Sequence, residues 1–233
     1  SNVDPSIDAI TAPADPVSLD AQPVEVTVTF SDPGVADTHV TTIDWGDGNP
    51  SSSEAASPAS LTHSYAEAGV YTLGVSVTDD DDGTISAIYE YVVVYDPNGS
   101  VTGHGSIASQ AGWCQLDAAC AGATGTARFG FVARYLRGDT VPSGRTSFRF
   151  RAGGLDFRSE AYEQLIVNQA GTNAQFRGTG TINGALSPKD GPYKFMIWAE
   201  DGAPDTFRIK LWYEEADGTE HVVYDTGFEQ AIE

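Results

Sequence analysis

The chain has 233 residues, 40% of them hydrophobic and 10% aromatic, which supplies material for real cores and excludes a disordered acidic chain. Its net charge of −21, from 33 acids against 12 bases, repels nucleic-acid phosphates and anionic bilayers, so neither a nucleic-acid partner nor membrane insertion is expected. No apolar run is long enough to span a bilayer as a helix.

The charge is uneven. Residues 1–100 hold 17 acids and no Lys or Arg, whereas residues 101–233 hold 16 acids and all 12 bases. That asymmetry points to two units of different character. Helical periodicity is nearly absent, and apolar alternation punctuated by Gly, Pro, Asn and Asp predicts an all-β fold.

In chain order, Ser1 and Asn2 stand where an initiator Met or a signal peptide would, so the chain reads as a piece excised from a longer protein. "VEVTVTF" (Val24 to Phe30) alternates cleanly. So does "VYTLGVSV", with Tyr71, Leu73, Val75 and Val77 on one face. "TISAIYEYVVVY" (Thr84 to Tyr95) predicts a long strand rich in β-branched and aromatic residues, and Asp82-Gly83 before it is a hairpin signal. "YDPNGS" (Tyr95 to Ser100) then breaks the pattern. The expected boundaries are a first domain at residues 1–96, a linker at 97–100 and a second domain at 101–233.

Two stretches of the first hundred residues carry several motifs in order. They are "TFSDPGVADTHVTTIDWGDG" (Thr29 to Gly48) and "LTHSYAEAGVYTLGVSVTDDDDG" (Leu61 to Gly83). With the W-G-D-G turn, the H-x-Y-x-x-x-G-x-Y stretch and the V-T-D-D loop, residues 8–95 or so resemble a PKD domain. The resemblance implies an immunoglobulin-like β-sandwich, common in secreted proteins. Many members carry Trp-Asp-Phe before Gly-Asp-Gly, where this chain has Ile43, Asp44 and Trp45, so the core aromatic is moved and not lost. Trp45, beside a Gly-Asp-Gly turn, is expected in the core, and His63 as a satisfied structural residue.

Cys114 and Cys120, in "CQLDAAC", suit a local disulfide of an exported protein, worth about 2–3 kcal/mol in the chain-entropy model; two reduced thiols are the alternative. "ARFGFVARYL" buries Phe129, Phe131 and Tyr135 and shows Arg128 and Arg134, and "SFRFRA" shows Arg149 and Arg151 opposite Phe148 and Phe150. "YKFMIWAE" and "TFRIKLWY" flank "DGAPD" and predict a hairpin. With weaker strands near Ile107, Leu155, Ile166, Phe176 and Val222, this half predicts a second β-sandwich, jelly-roll-like, and no tandem copy of the first domain. Through "ARFGFVARY", "FRGTGTING" and "DTFRIKLWY" it weakly resembles the post-COAP module found after PKD-type domains in exported bacterial proteins. That likeness implies fold and context but no chemistry.

Two places carry candidate chemistry. In an immunoglobulin-like sandwich the B–C and F–G loops lie at one end, so Asp32, Asp37, Asp79, Asp80 and Asp81 are expected to converge. Hard oxygen ligands without sulfur suit Ca²⁺, which some PKD domains bind at a sandwich end. As a strand end, Asp79 and Asp81 point one way and Asp80 and Asp82 the other, with repulsion small enough in water that a solvated acidic loop serves equally well. An EF-hand fails on spacing. The second place is the hairpin face carrying Lys194, Trp198, Arg208, Lys210 and Trp212. Its indoles would stack on sugar rings, or a further layer would cover them while the cations snorkel.

Catalytic patterns are weaker. His39, His63, His104 and His221 lack metalloprotease spacing, there is no G-x-S-x-G elbow, and carboxylates such as Asp156, Glu160 and Glu163 are expected by chance in so acidic a chain. The expectation is therefore a non-catalytic spacer, adhesion or surface-binding accessory region of a larger exported bacterial protein, outside the cell or on its surface. Its partners would be other domains of the same parent chain, and a polysaccharide or a cell-surface protein. The alternative is a carbohydrate-binding pair that targets a hydrolase lying elsewhere in the parent.

Overall fold

The computed structural model describes residues 3–34 and 36–232; Ser1, Asn2, Val35 and Glu233 lie outside the described residues, and the reading of Ser1 and Asn2 with them. Strands hold 58% of the chain and helix 4%, so the fold is all-β. Two compact units divide it, Ser1–Asp96 and Pro97–Glu233.

The first unit contains β1 (Ser6–Thr11), β2 (Val17–Ser18), β3 (Val24–Ser31), β4 (His39–Asp44), β5 (Ser51–Glu54), β6 (Ala59–His63), β7 (Gly69–Asp79) and β8 (Thr84–Tyr95). They form a three-stranded sheet, β1-β3-β6, and a five-stranded sheet, β2-β8-β7-β4-β5. Alternation decides what each strand buries. Val24, Val26, Val28 and Phe30 of β3 meet Leu73, Val75 and Val77 of β7 and Val92 and Val94 of β8 in one core. Each such side chain contributes about 1.5–3 kcal/mol by leaving water.

Trp45 lies just past β4 and is fully buried. Its indole Nε1 donates to Ser51 Oγ at 2.8 Å, and it stacks on His63 at 5.0 Å between ring centroids. His63 Nε2 in turn lies 2.8 Å from Asp47 Oδ2, so the W-G-D-G and H-x-Y segments form one locked cluster. Gly46 is required twice: its φ is +76°, and a Cβ there would sit 2.6 Å from the Thr72 carbonyl.

The second unit contains β9 (Ser100–Ser109), α1 (Ala118–Ala121), β10 (Gly125–Arg134), β11 (Ser143–Phe150), β12 (Leu155–Val167), β13 (Asn173–Ile182), β14 (Tyr193–Glu200), β15 (Thr206–Glu214), β16 (Glu220–Asp225) and β17 (Gln230–Ala231). From β9 to β16 each strand pairs antiparallel with the next, and β17 joins β15 beside β16. The sheet rolls over on itself: Phe129 of β10 stacks on Phe207 of β15 at 3.7 Å, and Phe148 of β11 packs on Tyr224 of β16 at 4.7 Å. Two β layers thus face across an aromatic core, as in a sandwich. Their connectivity is a sequential meander, without the Greek-key crossings that a jelly roll uses.

Leu155 and Ile166 share the single strand β12, whose pairing with β13 shifts register between Ser159 and Ala161 and between Tyr162 and Gln164. The disulfide joins Cys114 and Cys120, with Cα atoms 5.5 Å apart and both residues buried. Asp117 caps α1 by accepting from Cys120 N at 2.8 Å. The loop is tied to the last long strand by Gln115 N to Val223 O at 2.7 Å and Asp225 N to Trp113 O at 3.0 Å.

Candidate functional site

The acidic end of the first unit is built by β4 and β7, which pair so that His39 lies opposite Asp79. Asp32 follows β3, Asp37 precedes β4, and Asp79 closes β7. Carboxylate oxygens of Asp32, Asp37 and Asp79 lie within 4.8 Å of one another. Asp80 and Asp81 are exposed and stand outside that trio, Asp80 accepting from Thr38 N at 3.1 Å.

The aspartate run does not continue as a strand. β7 ends at Asp79, which is only 5% exposed, and the chain turns through Asp82 with φ +69°. Asp79 Oδ1 accepts from Asp81 N at 2.9 Å and Gly83 N at 2.7 Å, and Asp79 N donates to Gly83 O at 2.9 Å. The alternating arrangement expected of an extended end is therefore replaced: one aspartate is buried to hold the turn, and the rest face water. Backbone N–H donors stabilise the Asp79 carboxylate that burial would otherwise penalise.

Asp32 is equally engaged. Its Oδ1 accepts from Gly34 N at 2.7 Å, and its Oδ2 lies 2.8 Å from His39 Nε2. The His39 hydrogen bond first, then the Gly34 N–H, hold its carboxyl below the usual range. Asp37 differs. Desolvation pushes its carboxyl up, and the charges of Asp80, Asp32, Asp81 and Asp79 push it further. Asp37 is thus where negative charge accumulates, with no donor to its carboxylate among the described residues. Asp32 and Asp37, but not Asp79, border a cavity of about 440 Å³ also lined by Phe30, His39 and Ala55. The donor set is all oxygen with one imidazole beside it, the chemistry of a hard cation such as Ca²⁺. His39, paired to Asp32, was not singled out by sequence reasoning; the signal available was its position at the far end of the loop that begins at Asp32.

The hairpin of β14 and β15 forms, with Lys194 opposite Trp212, Met196 opposite Lys210 and Trp198 opposite Arg208. All six are half-buried. The Arg208 guanidinium lies over Trp198 at 4.5 Å and the Lys210 ammonium over Trp212 at 5.1 Å. Acids then claim the cations: Lys194 meets Glu214 at 2.7 Å, Lys210 meets Glu220 at 2.6 Å and Arg208 meets Asp225 at 3.6 Å. Trp212 Nε1 donates to Glu214 at 3.0 Å. One face of each indole is therefore covered by the protein's own cation, and the cover is a side chain and not a further layer.

Residues 2–94 match the family model of the PKD domain. PKD domains are typically extracellular adhesion or spacer modules. A comparison with curated proteins gives no match. No helix among the described residues is long and apolar enough to cross a membrane.

Proposed function

We propose that the chain is a non-catalytic extracellular accessory region, a spacer and surface-binding segment of a larger exported bacterial protein. The match of residues 2–94 to the PKD domain carries this reading. The Cys114–Cys120 disulfide supports an oxidising compartment. In this role the rigid, separately cored units supply length and display surfaces, and the partners are other domains of the parent chain and an extracellular polymer or cell-surface protein. The acidic end of the first unit takes Ca²⁺ where the ion is millimolar, because Asp37 brings a carboxylate, without a donor among the described residues, beside Asp32 and Asp79.

The alternative of glycan stacking on the tryptophan hairpin has less support, since Arg208 and Lys210 already cover Trp198 and Trp212. The deciding experiment is a turnover screen of the chain against polysaccharides, peptides and esters. No turnover is expected. Turnover that Asp156→Asn or Glu163→Gln abolishes would place an active site in the second unit and overturn the reading.

A further inference from the structure

The nine arginines are unevenly placed. Seven fall between residues 128 and 158, a stretch with two acids, Asp139 and Asp156, inside a chain whose net charge is −21. Strand alternation turns five of them, Arg128, Arg134, Arg145, Arg149 and Arg158, to one side; Arg137 and Arg151 lie outside the strands. On β10, Phe129 and Phe131 are buried while Arg128 and Val132 are exposed and Gly130 lies between them; on β11, Phe148 and Phe150 are buried while Arg145, Ser147 and Arg149 are exposed. Register then brings them together. Arg128 lies opposite Arg149, Gly130 opposite Ser147 and Val132 opposite Arg145, and Ser147 lies opposite Arg158 of β12. The result is a shallow groove of about 680 Å³ whose floor includes Gly130 and Ser147, with Arg128, Arg145, Arg149, Arg151 and Arg158 around it.

Like charges placed directly opposite across a ladder oppose folding. The chain has acids enough to neutralise them and does so elsewhere. From Arg177 onward every Lys and Arg has an acid within 3.6 Å. In the groove one carboxylate serves two guanidiniums, Asp156 with Arg149 at 2.7 Å and Arg158 at 3.5 Å. Arg128, Arg145 and Arg151 pair with no acid among the described residues. The unneutralised charge here is all guanidinium, the group that grips carboxylate and sulfate with two parallel hydrogen bonds.

We infer that this face of β10, β11 and β12 binds an anionic polysaccharide through its carboxylate or sulfate groups. Strands about 4.8 Å apart present the cations as a fixed grid, which suits a polymer bearing one charge every sugar or two. The five arginines stand around a floor of Gly130 and Ser147, the Phe129 ring of the lining is buried and the ring exposed beside the floor is the His104 imidazole opposite Gly130, and the acidic remainder of the chain repels the denser charge of duplex nucleic acid or an anionic bilayer. The Gly130 and Ser147 floor admits close approach, and the Ser147 hydroxyl supplies a neutral partner for sugar hydroxyls. The choice of a glycan rests on the accessory-region reading; the anion site does not, and its loss would leave a spacer role intact.

The test is affinity electrophoresis of the full chain at about 150 mM NaCl, through gels containing polygalacturonate, dextran sulfate or neutral dextran. Retardation is expected with polygalacturonate or dextran sulfate, the two arms separating carboxylate from sulfate recognition, and not with dextran. Arg128→Ser with Arg145→Ser should weaken binding about tenfold or more, because both guanidiniums face the ligand unpaired. Arg177→Ser with Lys189→Ser removes the same charge elsewhere and should leave binding in place. Absence of retardation by both anionic polymers overturns the proposal, as does equal loss in the two double variants. Binding of single-stranded oligothymidylate as tight as that of the polysaccharides would reassign the face to nucleic acid and likewise overturn it.

Discussion

Tyr65 donates its hydroxyl to the carbonyl of Trp45 at 3.0 Å, twenty residues back along the chain, in a fully enclosed setting. The same ring meets His63 edge-on at 4.7 Å and stacks on Tyr71 at 4.0 Å. Tyr65→Phe keeps the packing and orphans a buried carbonyl, so it should cost about 1–3 kcal/mol in chemical denaturation of the first unit. A smaller loss would mean that water reaches the Trp45 carbonyl.

Asp79 holds its turn through two N–H donors. Asp79→Ala removes the acceptor for both and should cost about 2–3 kcal/mol, with faster hydrogen exchange at Asp81 and Gly83. Asp79→Asn retains an acceptor oxygen and should cost less. Equal effects of the two variants would assign the role to charge and not to the turn.

Asp37 and Asp32 predict opposite pH dependences. The raised Asp37 carboxyl holds its proton more tightly in the folded chain, so its contribution falls as pH rises through its folded pKa. Asp37→Asn should therefore raise the melting temperature near about pH 7, and the gain should close toward about pH 3, where the group is protonated in both states. The depressed Asp32 carboxyl contributes stability that is present above the ordinary Asp range and lost as pH falls through its folded pKa.

Millimolar Ca²⁺ should raise the melting temperature of the unaltered chain, and much less that of Asp37→Asn or Asp79→Ala. A melting temperature indifferent to Ca²⁺ in all three would leave the acidic end a solvated loop.

In the second unit, burial raises the Tyr224 hydroxyl to a pKa of about 12 against its Ser109 hydrogen bond. Its stabilising contribution is complete below about pH 10 and is lost as pH climbs toward about 12, a loss of about 2–3 kcal/mol. Tyr224→Phe should flatten that alkaline limb of the unfolding profile, at the cost of the Ser109 contact.

Much of the first unit was legible because β3 and β7 bury one face each, so alternation named Val24, Val26, Val28, Leu73, Val75 and Val77 as core. The convergence of Asp32, Asp37 and Asp79 followed from loop topology. The role of Asp79 did not, because it depends on where pairing stops, and four identical residues give no sign of which is the last in the ladder. In the second unit, β12 reads as two strands since its register shifts break the period of two. β17 has two residues and no period at all. The meander was hidden because strand order is not written in any one strand. Register hid the rest: whether a cation lies across from Trp198, or from another arginine as at Arg128, is decided by the neighbouring strand.

β2 runs parallel to β8, with Val17 opposite Val94 and Ser18 opposite Tyr95. Tension that has passed β1 and its pairing with β3 reaches Val17, and with the opposing pull leaving near Tyr95 it drags these two strands lengthwise in opposite senses. Their shared bonds then carry load simultaneously, in shear, instead of opening one after another like a zip. The clasp therefore takes load after β1 and before the inner strands β7 and β4 of the five-stranded sheet are drawn apart.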